Sequence, residues 1–278
     1  MTAGPSPYAQ PLDQRLQLEP VGEDRFHAQL PGFGGVTLGC ATLAAARTTE
    51  LTLHSLHAYF LRPVPTDHPA LLAVSRLRDG RRFASRRVEV RDGERVCCEL
   101  VASFVAPGEG IEYQEHAVPP APPAPEMLPC EEELAREAGL DLSRPGFLGG
   151  ALEWRFASMP WRASETSLYQ GWVRPRDPLP EERAFHAAAL AFLADLHSHL
   201  STARRLGTHF EPFTYTSLDQ ALWVHRDEPW RDWRLLTTVS DVAHGGRAFT
   251  RRTLCARDGR LIATMAQEQV LPSAPARG

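Results

Sequence analysis

Residues 80–93 read GRRFASRRVEVRDG, and residues 246–259 read GRAFTRRTLCARDG. The two stretches align without a gap at an offset of 166 residues (246 minus 80), with glycine, phenylalanine, arginine and a final Arg-Asp-Gly at matching positions. Upstream, HAYFLR at 57–62 matches ALWVHR at 221–226 at an offset of 164. A repeat with so long a period indicates two duplicated domains rather than a solenoid of short units.

Each copy is predicted to contain one helix followed by antiparallel strands. In the first copy, Val36–Arg47 is rich in alanine and leucine. In the second, Pro180-Glu-Glu is typical of a helix start, and apolar residues then recur at helical spacing as far as Leu200. The Arg-Asp-Gly triplets at 91–93 and 257–259 are typical of tight turns between paired strands. We therefore expect an α+β fold.

A proline-rich stretch, VPPAPPAP at 118–125, separates the two copies. It is unsuited to a helix interior or a central strand, and indicates an extended connector. The sequence thus predicts an N-terminal unit over 10–107, a linker over 108–150 and a C-terminal unit over 151–273.

Composition excludes several classes of protein. Of the 278 residues 43% are hydrophobic, and the formal net charge is -4, which argues against a nucleic-acid binder. No apolar run is long enough to span a membrane, and the N-terminus lacks a secretory signal pattern, so we expect a soluble, cytoplasmic protein. The absence of lysine excludes Schiff-base chemistry, and the five cysteines contain no CxxC pair that would indicate a zinc site.

Several segments, in order along the chain, resemble the type II acyl-CoA thioesterases. They include FGG at 33–35, HSLHAYFLRP at 54–63, DQALWVHR at 219–226 and RDGRLIATMAQE at 257–268. The resemblance implies a tandem (double) hotdog, in which two antiparallel sheets meet edge to edge and each wraps a long helix. It also implies hydrolysis of acyl-CoA to a fatty acid and free CoA, without metal or cofactor, in a protein of lipid metabolism that is a possible homo-oligomer.

The resemblance further implies that an acid, a hydroxyl residue and a glutamine hold the attacking water. Carried over by motif, these residues are Asp219, Ser240 and Gln267. A carboxylate accepts a proton from water, and the hydroxyl and amide groups fix its remaining hydrogen bonds. We therefore expect the three side chains to lie together in the second unit.

The start of the first helix, at Gly34, Gly35 and Val36, is the expected oxyanion and substrate-binding site, because helix N-termini present free backbone N–H groups. The repeat predicts a single active site. At the offsets given above, Gln267 corresponds to Val101 and Asp219 to Ser55, so the first unit lacks both polar groups.

Two other functions remain open. One is a non-catalytic protein that binds acyl-CoA or an acyl carrier, because Val36, Gln220 and Asp241 depart from the family pattern. The other is a hotdog hydratase or dehydratase, which requires a histidine or an Asp/His pair on or near the helix. The first helix has neither, and the second region offers His186, Asp195, His197 and His199.

Overall fold

The computed structural model describes residues 10–115, 121–139, 150–157, 159–160, 162–207 and 215–271. Within these residues the strands are β1 (Glu19–Gly22), β2 (Arg25–Ala28), β3 (Thr52–Phe60), β4 (Ala70–Asp79), β5 (Phe83–Asp92), β6 (Arg95–Val105), β7 (Leu152–Phe156), β8 (Tyr169–Pro175), β9 (Thr216–Ser217), β10 (Asp219–Val224), β11 (Arg234–His244), β12 (Arg247–Ala256) and β13 (Leu261–Val270). The helices are α1 (Leu12–Arg15), α2 (Gly34–Ala46), α3 (Glu131–Glu137), α4 (Arg183–Asp195) and α5 (Leu200–Leu206).

The strands form one continuous antiparallel sheet that crosses both halves of the chain. Its order is β1-β2-β4-β5-β6-β3-β10-β13-β12-β11-β8-β7, with β9 paired to β13. The halves meet edge to edge where β3 pairs with β10. In that pair His57 lies opposite Ala221, the residue 164 positions later in the repeat. A pseudo-two-fold axis therefore passes between these two residues.

The two long helices, α2 and α4, have 13 residues each and run antiparallel against one another. Gly34 begins α2 and lies against Asp195, which ends α4, while Arg47, just after α2, bonds Glu182, just before α4. Both helices pack onto the sheet, and one hydrophobic cluster extends through both halves. Among the described residues no helix has the length and hydropathy needed to cross a bilayer.

The second helix is shorter than the sequence predicts. We expected it to continue to Leu200, but α4 ends at Asp195 and α5 begins at Leu200. Between them His197 takes a φ of 59°, in the left-handed region that non-glycine residues rarely adopt. Leu196 and Leu200 are both buried, so the apolar spacing of the sequence continues through this break. The spacing therefore does not reveal where the helix ends.

The internal repeat places two buried arginines at equivalent positions, Arg86 on β5 and Arg252 on β12. Arg86 donates to the carbonyl and hydroxyl of Thr48, just beyond the end of α2. Arg252 donates to the carbonyls of Leu193 and Ala194, in the last turn of α4, at 2.8 and 2.9 Å. Each arginine thus ties a strand of its own half to the chain at or just beyond the end of a long helix. The side chains that mark the repeat in the sequence therefore have matching structural roles.

Part of the predicted linker, residues 116–120 and 140–149, lies outside the described residues. The part between them forms a short 3₁₀ turn at Pro125–Met127 and helix α3. The linker is anchored to the C-terminal half, since α3 packs on β7 and the Trp172 indole donates to the Pro123 carbonyl at 2.9 Å.

Candidate active site

A buried carboxylate, Asp195, is the centre of a polar cluster where the two long helices meet. It is the last residue of α4 and is 6% exposed. Its Oδ1 accepts hydrogen bonds from Ser217 Oγ at 2.7 Å and from Gln267 Nε2 at 2.5 Å. Ser217 is supplied by the short strand β9 and Gln267 by β13, which pairs with β9. The two donors fix the orientation of the carboxylate.

The first half of the chain contributes the start of α2 to this cluster. The backbone N–H of Gly35 faces Asp195 and acts to lower the pKa of its carboxyl. Gly34 is so close that a Cβ added to it would stand 2.7 Å from Asp195 Oδ2. Only glycine leaves room for the acid at this position. The positive end of the α2 dipole therefore faces the carboxylate.

Opposing effects act on the pKa of Asp195. Burial raises its pKa above the ordinary value, because a low-dielectric interior disfavours the charged form. The hydrogen bonds from Ser217, Gln267 and Gly35, together with the charge of Arg252, act to lower the pKa. The carboxylate is therefore desolvated, and hence more basic than an exposed aspartate, while hydrogen-bond donors still stabilise its charged form.

Gln267, expected from the sequence, lies in this cluster. Its side chain is 1% exposed, and Oε1 has no hydrogen-bond partner in the part of the chain that the structure describes. On the adjacent strand Thr250 pairs with Gln267, and its Oγ1 is also buried without such a partner. Both oxygens are thus available to a small polar molecule next to Asp195.

The expected oxyanion segment, Gly34 to Val36, also lies at the cluster, but its N–H groups differ in availability. Val36 N–H donates to the Phe33 carbonyl at 3.1 Å, and the Gly35 N–H faces the Asp195 carboxyl, whose pKa it acts to lower. Among the described hydrogen bonds none engages the Gly34 N–H. One of the three expected donors is therefore free for a ligand.

Asp219, the acid expected from the resemblance, lies outside the cluster. It begins β10, and its Oδ1 accepts the backbone N–H of Glu268 at 2.7 Å. Its neighbour Gln220 is buried, and side chains alternate along a strand, so Asp219 points to the other face of the sheet. Burial raises the pKa of Asp219 as well, but Gln267 bonds Asp195 instead.

Ser240 also lies apart from Asp195. It is separated from Gln267 by the intervening strand β12, because Ser240 pairs with Thr250 and Thr250 pairs with Gln267. Two strand spacings amount to about 10 Å. Its hydroxyl donates to the Phe249 carbonyl at 3.1 Å and lies 3.1 Å from Thr202 Oγ1. The hydroxyl that contacts the central acid is that of Ser217, which the sequence did not single out.

The opposite end of the helix pair, related by the pseudo-two-fold axis, lacks these polar groups. Matching α2 to α4 residue by residue puts Ala46 where Asp195 stands, and the offset of 164 puts Leu53 where Ser217 stands. A cavity of about 440 Å³ lies there, bordered by the ion pair of Arg47 with Glu182 at 2.9 Å. In the part of the chain that the structure describes, this end has a cavity but no buried acid.

Gln267 and Val101 are not at equivalent positions in the structure, contrary to the alignment of the repeat. Val101 is 41% exposed, on the outer face of β6, whereas Gln267 faces the core. The offset thus shifts in the last strand, because β-bulges interrupt the registers of the two halves at different places. Gln267 lies opposite Thr250, and the equivalent pair of the first half is Ala84 with Phe104, so the first half has an apolar ring and no amide there.

Comparison with known proteins identifies the family. The model of the acyl-CoA thioesterase C-terminal domain matches residues 118–271, and that of the N-terminal domain matches residues 25–105. The chain belongs to the acyl-CoA thioesterase family. Human acyl-coenzyme A thioesterase 8 is 31% identical to this family member over 94% of this chain and 88% of its own length.

Solved structures of similar proteins agree with this membership. The acyl-CoA thioesterase II TesB2 of Mycobacterium marinum has a TM-score of 0.78 and 31% identity, over 95% of this chain and 99% of that one. A hotdog-fold protein of Alicyclobacillus acidocaldarius has a TM-score of 0.76 at 17% identity, covering 95% and 98%. The second likeness concerns the fold alone, and it establishes a hotdog fold for this acyl-CoA thioesterase family member.

Proposed function

We propose that this chain hydrolyses the thioester bond of an acyl-CoA, with Asp195 as the general base. The observation that carries the proposal is the buried carboxylate held by Ser217 and Gln267 at 2.7 and 2.5 Å. Family membership supplies the reaction, and the cluster supplies the acid, hydroxyl and amide groups that it requires. Asp195 and Ser217 thus take the roles that the resemblance gave to Asp219 and Ser240.

In this mechanism a water molecule is held between Asp195 and the free Oε1 of Gln267. Asp195 takes one proton from the water as the water oxygen attacks the thioester carbonyl carbon. The carbon–sulfur bond then breaks, and the departing CoA sulfur takes the proton from Asp195. A base whose pKa is raised by burial is suited to both proton transfers. The products are a carboxylic acid and free CoA.

The start of α2 stabilises the oxyanion of the tetrahedral intermediate. The Gly34 N–H is the available donor of that turn, and the α2 dipole favours negative charge at this end. Gly35 has a different task, since its N–H orients the carboxylate. Val36 has an N–H that is already engaged and contributes its side chain to the core.

Each half of the chain forms one hotdog unit, and together they make a tandem hotdog with one active site. Supporting this division, each half contains a 13-residue helix against its own antiparallel strands, and β3 joins β10 at the boundary. The site needs both halves, because Gly34 and Gly35 come from the first and Asp195, Ser217 and Gln267 from the second.

The test is release of free thiol from acyl-CoAs of increasing chain length by wild type and two matched variants. Asp195→Asn is expected to lower kcat by about 10²–10⁴-fold, the usual contribution of a positioned base. Asp219→Asn makes the same chemical change outside the cluster and is expected to keep most of the activity. If wild type binds acyl-CoA without releasing thiol, the chain is a binding protein and the proposal is wrong. If Asp219→Asn is the inactive variant, the proposed base is wrong.

A further inference from the structure

A second buried acid lies behind the active site, in the segment that links the two halves. Glu131, the first residue of α3, is 2% exposed, and His197, two residues after Asp195, is 6% exposed. Glu131 Oε1 and His197 Nε2 are 3.5 Å apart. Neither atom has a hydrogen-bond partner of ordinary length among the described residues. The edge of the neighbouring Trp154 ring, 5.3 Å away between centroids, helps enclose the pair.

The backbone at His197 explains why such a contact is needed. A φ of 59° at a non-glycine residue costs about 1–3 kcal/mol and persists only where the surroundings hold it. Tyr169 Oη donates to the His197 carbonyl at 2.8 Å, and the Leu200 N–H donates to it at 3.2 Å. These bonds fix the backbone of the turn, and Glu131 is the polar group that faces the side chain.

This turn determines where α4 ends and thus where Asp195 points. Arg252 holds the carbonyls of Leu193 and Ala194 on one side of Asp195, and the His197 turn fixes the chain on the other. A displacement of the turn therefore moves the carboxylate relative to Ser217 and Gln267.

We propose that Glu131 is a positioning residue for the reaction: by bonding His197, it holds the turn that aims Asp195 at Ser217 and Gln267. The inference rests on the proposed function, since the effect it describes is on hydrolysis. It gives a role to α3, a helix of the linker that touches none of the reacting groups described above.

The protonation states of the pair favour one hydrogen bond. Burial raises the pKa of Glu131 to about 8 and lowers the pKa of His197 to about 3. At neutral pH both groups are therefore uncharged, and the carboxyl O–H is a donor that faces the unprotonated Nε2 of the ring across 3.5 Å. The charged and titratable groups around the pair are Glu132 and Arg176 beside Glu131, His199 and Arg252 beside His197, and Tyr169, which faces both.

Loss of the proton from Glu131 removes this donor. Above about pH 8 the carboxyl becomes a buried carboxylate facing a ring nitrogen that carries no proton, so the turn is held less firmly. The expected result is a fall in kcat above about pH 8 that arises from a residue outside the site. Glutamine at the same position donates through its amide at every pH, so Glu131→Gln is expected to lack that fall.

The experiment measures kcat and KM for thiol release from pH 6 to 9.5, after subtraction of spontaneous hydrolysis, together with thermal unfolding. Glu131→Leu is expected to lower kcat by up to about a hundredfold with KM unchanged, as a misplaced catalytic group does. Its unfolding temperature is expected to equal or exceed that of wild type, because leucine is buried at less cost than a carboxyl. Glu137→Gln, an exposed change at the other end of α3, is expected to behave as wild type.

The outcomes separate this inference from the proposed function. If wild type releases thiol and Glu131→Leu folds with an unchanged kcat, the positioning role is wrong while the hydrolase stands. If Glu131→Leu does not fold, the pH profile of Glu131→Gln decides: the same alkaline fall as wild type contradicts the proposal. No release by wild type overturns the hydrolase, and the positioning role with it.

Discussion

The backbone of Gly34 lies against the carboxylate of Asp195, so closely that a Cβ at Gly34 would stand 2.7 Å from Asp195 Oδ2. The two residues come from different halves of the chain, and they meet because α2 begins where α4 ends. This contact brings the free N–H of a helix start next to a buried acid. Because the contact is so close, even the single methyl group added by Gly34→Ala tests the site.

Gly34→Ala is expected to lower kcat by up to about a hundredfold, because the added methyl group displaces Asp195 Oδ2. Gly39→Ala is the matched control in the same helix. There the Cβ would stand 2.6 Å from Leu16 Cδ2, which lies in the core and away from Asp195. Gly39→Ala is therefore expected to lower the unfolding temperature and keep kcat. Steady-state kinetics and thermal unfolding of both variants check this, and equal kcat values would contradict the proposed site.

The pH dependence of kcat is expected to show an acidic limb that belongs to Asp195. The base acts when ionised, so activity is lost as pH falls through its pKa, which burial raises above the ordinary aspartate value of 3.8. An acidic midpoint at or below 3.8 would be at odds with a desolvated base.

The titration of Asp195 is also expected to affect the free energy of unfolding. As pH rises, activity increases but this contribution to stability is lost. A raised pKa in the folded state favours folding at low pH, and this contribution is lost as pH rises through the folded-state pKa. Asp195→Asn removes that dependence, so its unfolding temperature is expected to exceed that of wild type most at neutral pH. A variant less stable than wild type at pH 7 would contradict the burial argument.

Ser217→Ala is expected to lower kcat by about 10- to 100-fold, because it removes a hydrogen bond to a charged group worth about 1.5–3 kcal/mol. The acidic limb should also move to higher pH, since the serine hydroxyl lowers the pKa of Asp195. Ser217→Thr retains the hydroxyl and suits a strand, so it is expected to keep most of the activity. If both variants have the same pH profile as the wild type, the hydroxyl does not act on Asp195.

The two equivalent arginines are expected to differ in their effect on catalysis. Arg86→Met and Arg252→Met each remove buried hydrogen bonds from a guanidinium to the chain at or just beyond a helix end, at a cost of about 1–3 kcal/mol in unfolding free energy. Arg252 is beside the buried acid Asp195, whereas Arg86 pairs with the exposed acid Asp79 at the other end of the helix pair. Only Arg252→Met should therefore also lower kcat. Urea denaturation and kinetics of the pair provide the measurement, and equal kcat losses would count against a single site.

Much of the architecture can be predicted from the sequence, because short motifs that determine local structure recur in both copies of the repeat. The Arg-Asp-Gly turns at 91–93 and 257–259 do join β5 to β6 and β12 to β13, and Gly93 and Gly259 have the positive φ that such turns use. The break after Asp195 was missed, since strain at His197 comes from tertiary contacts that hydropathy does not record.

The site was only partly accessible from the sequence. Of the candidate cluster, Gln267 is predicted from the sequence as a site residue, whereas the sequence offers Asp195 only for a hydratase or dehydratase, although it continues the buried helical stripe of Ala189 and Phe192. An acid on an apolar helix face is a signal that could have been used. No local sequence pattern marks Ser217, because the pairing of β9 with β13 determines which side chain it contacts. Asp219, two residues later, faces the other side of the sheet.

Because β3 and β10 belong to one polypeptide, a mutation can change one copy of the repeat without changing the other. Two identical subunits encoded by one gene must accept every mutation twice, whereas the copies in a tandem gene vary separately. The end of the helix pair with Ala46 and Leu53 carries neither the acid nor the hydroxyl of the Asp195 end, so the two ends of this chain already differ. A mutation near Ala46 therefore changes that end alone and leaves the Asp195 end as it was.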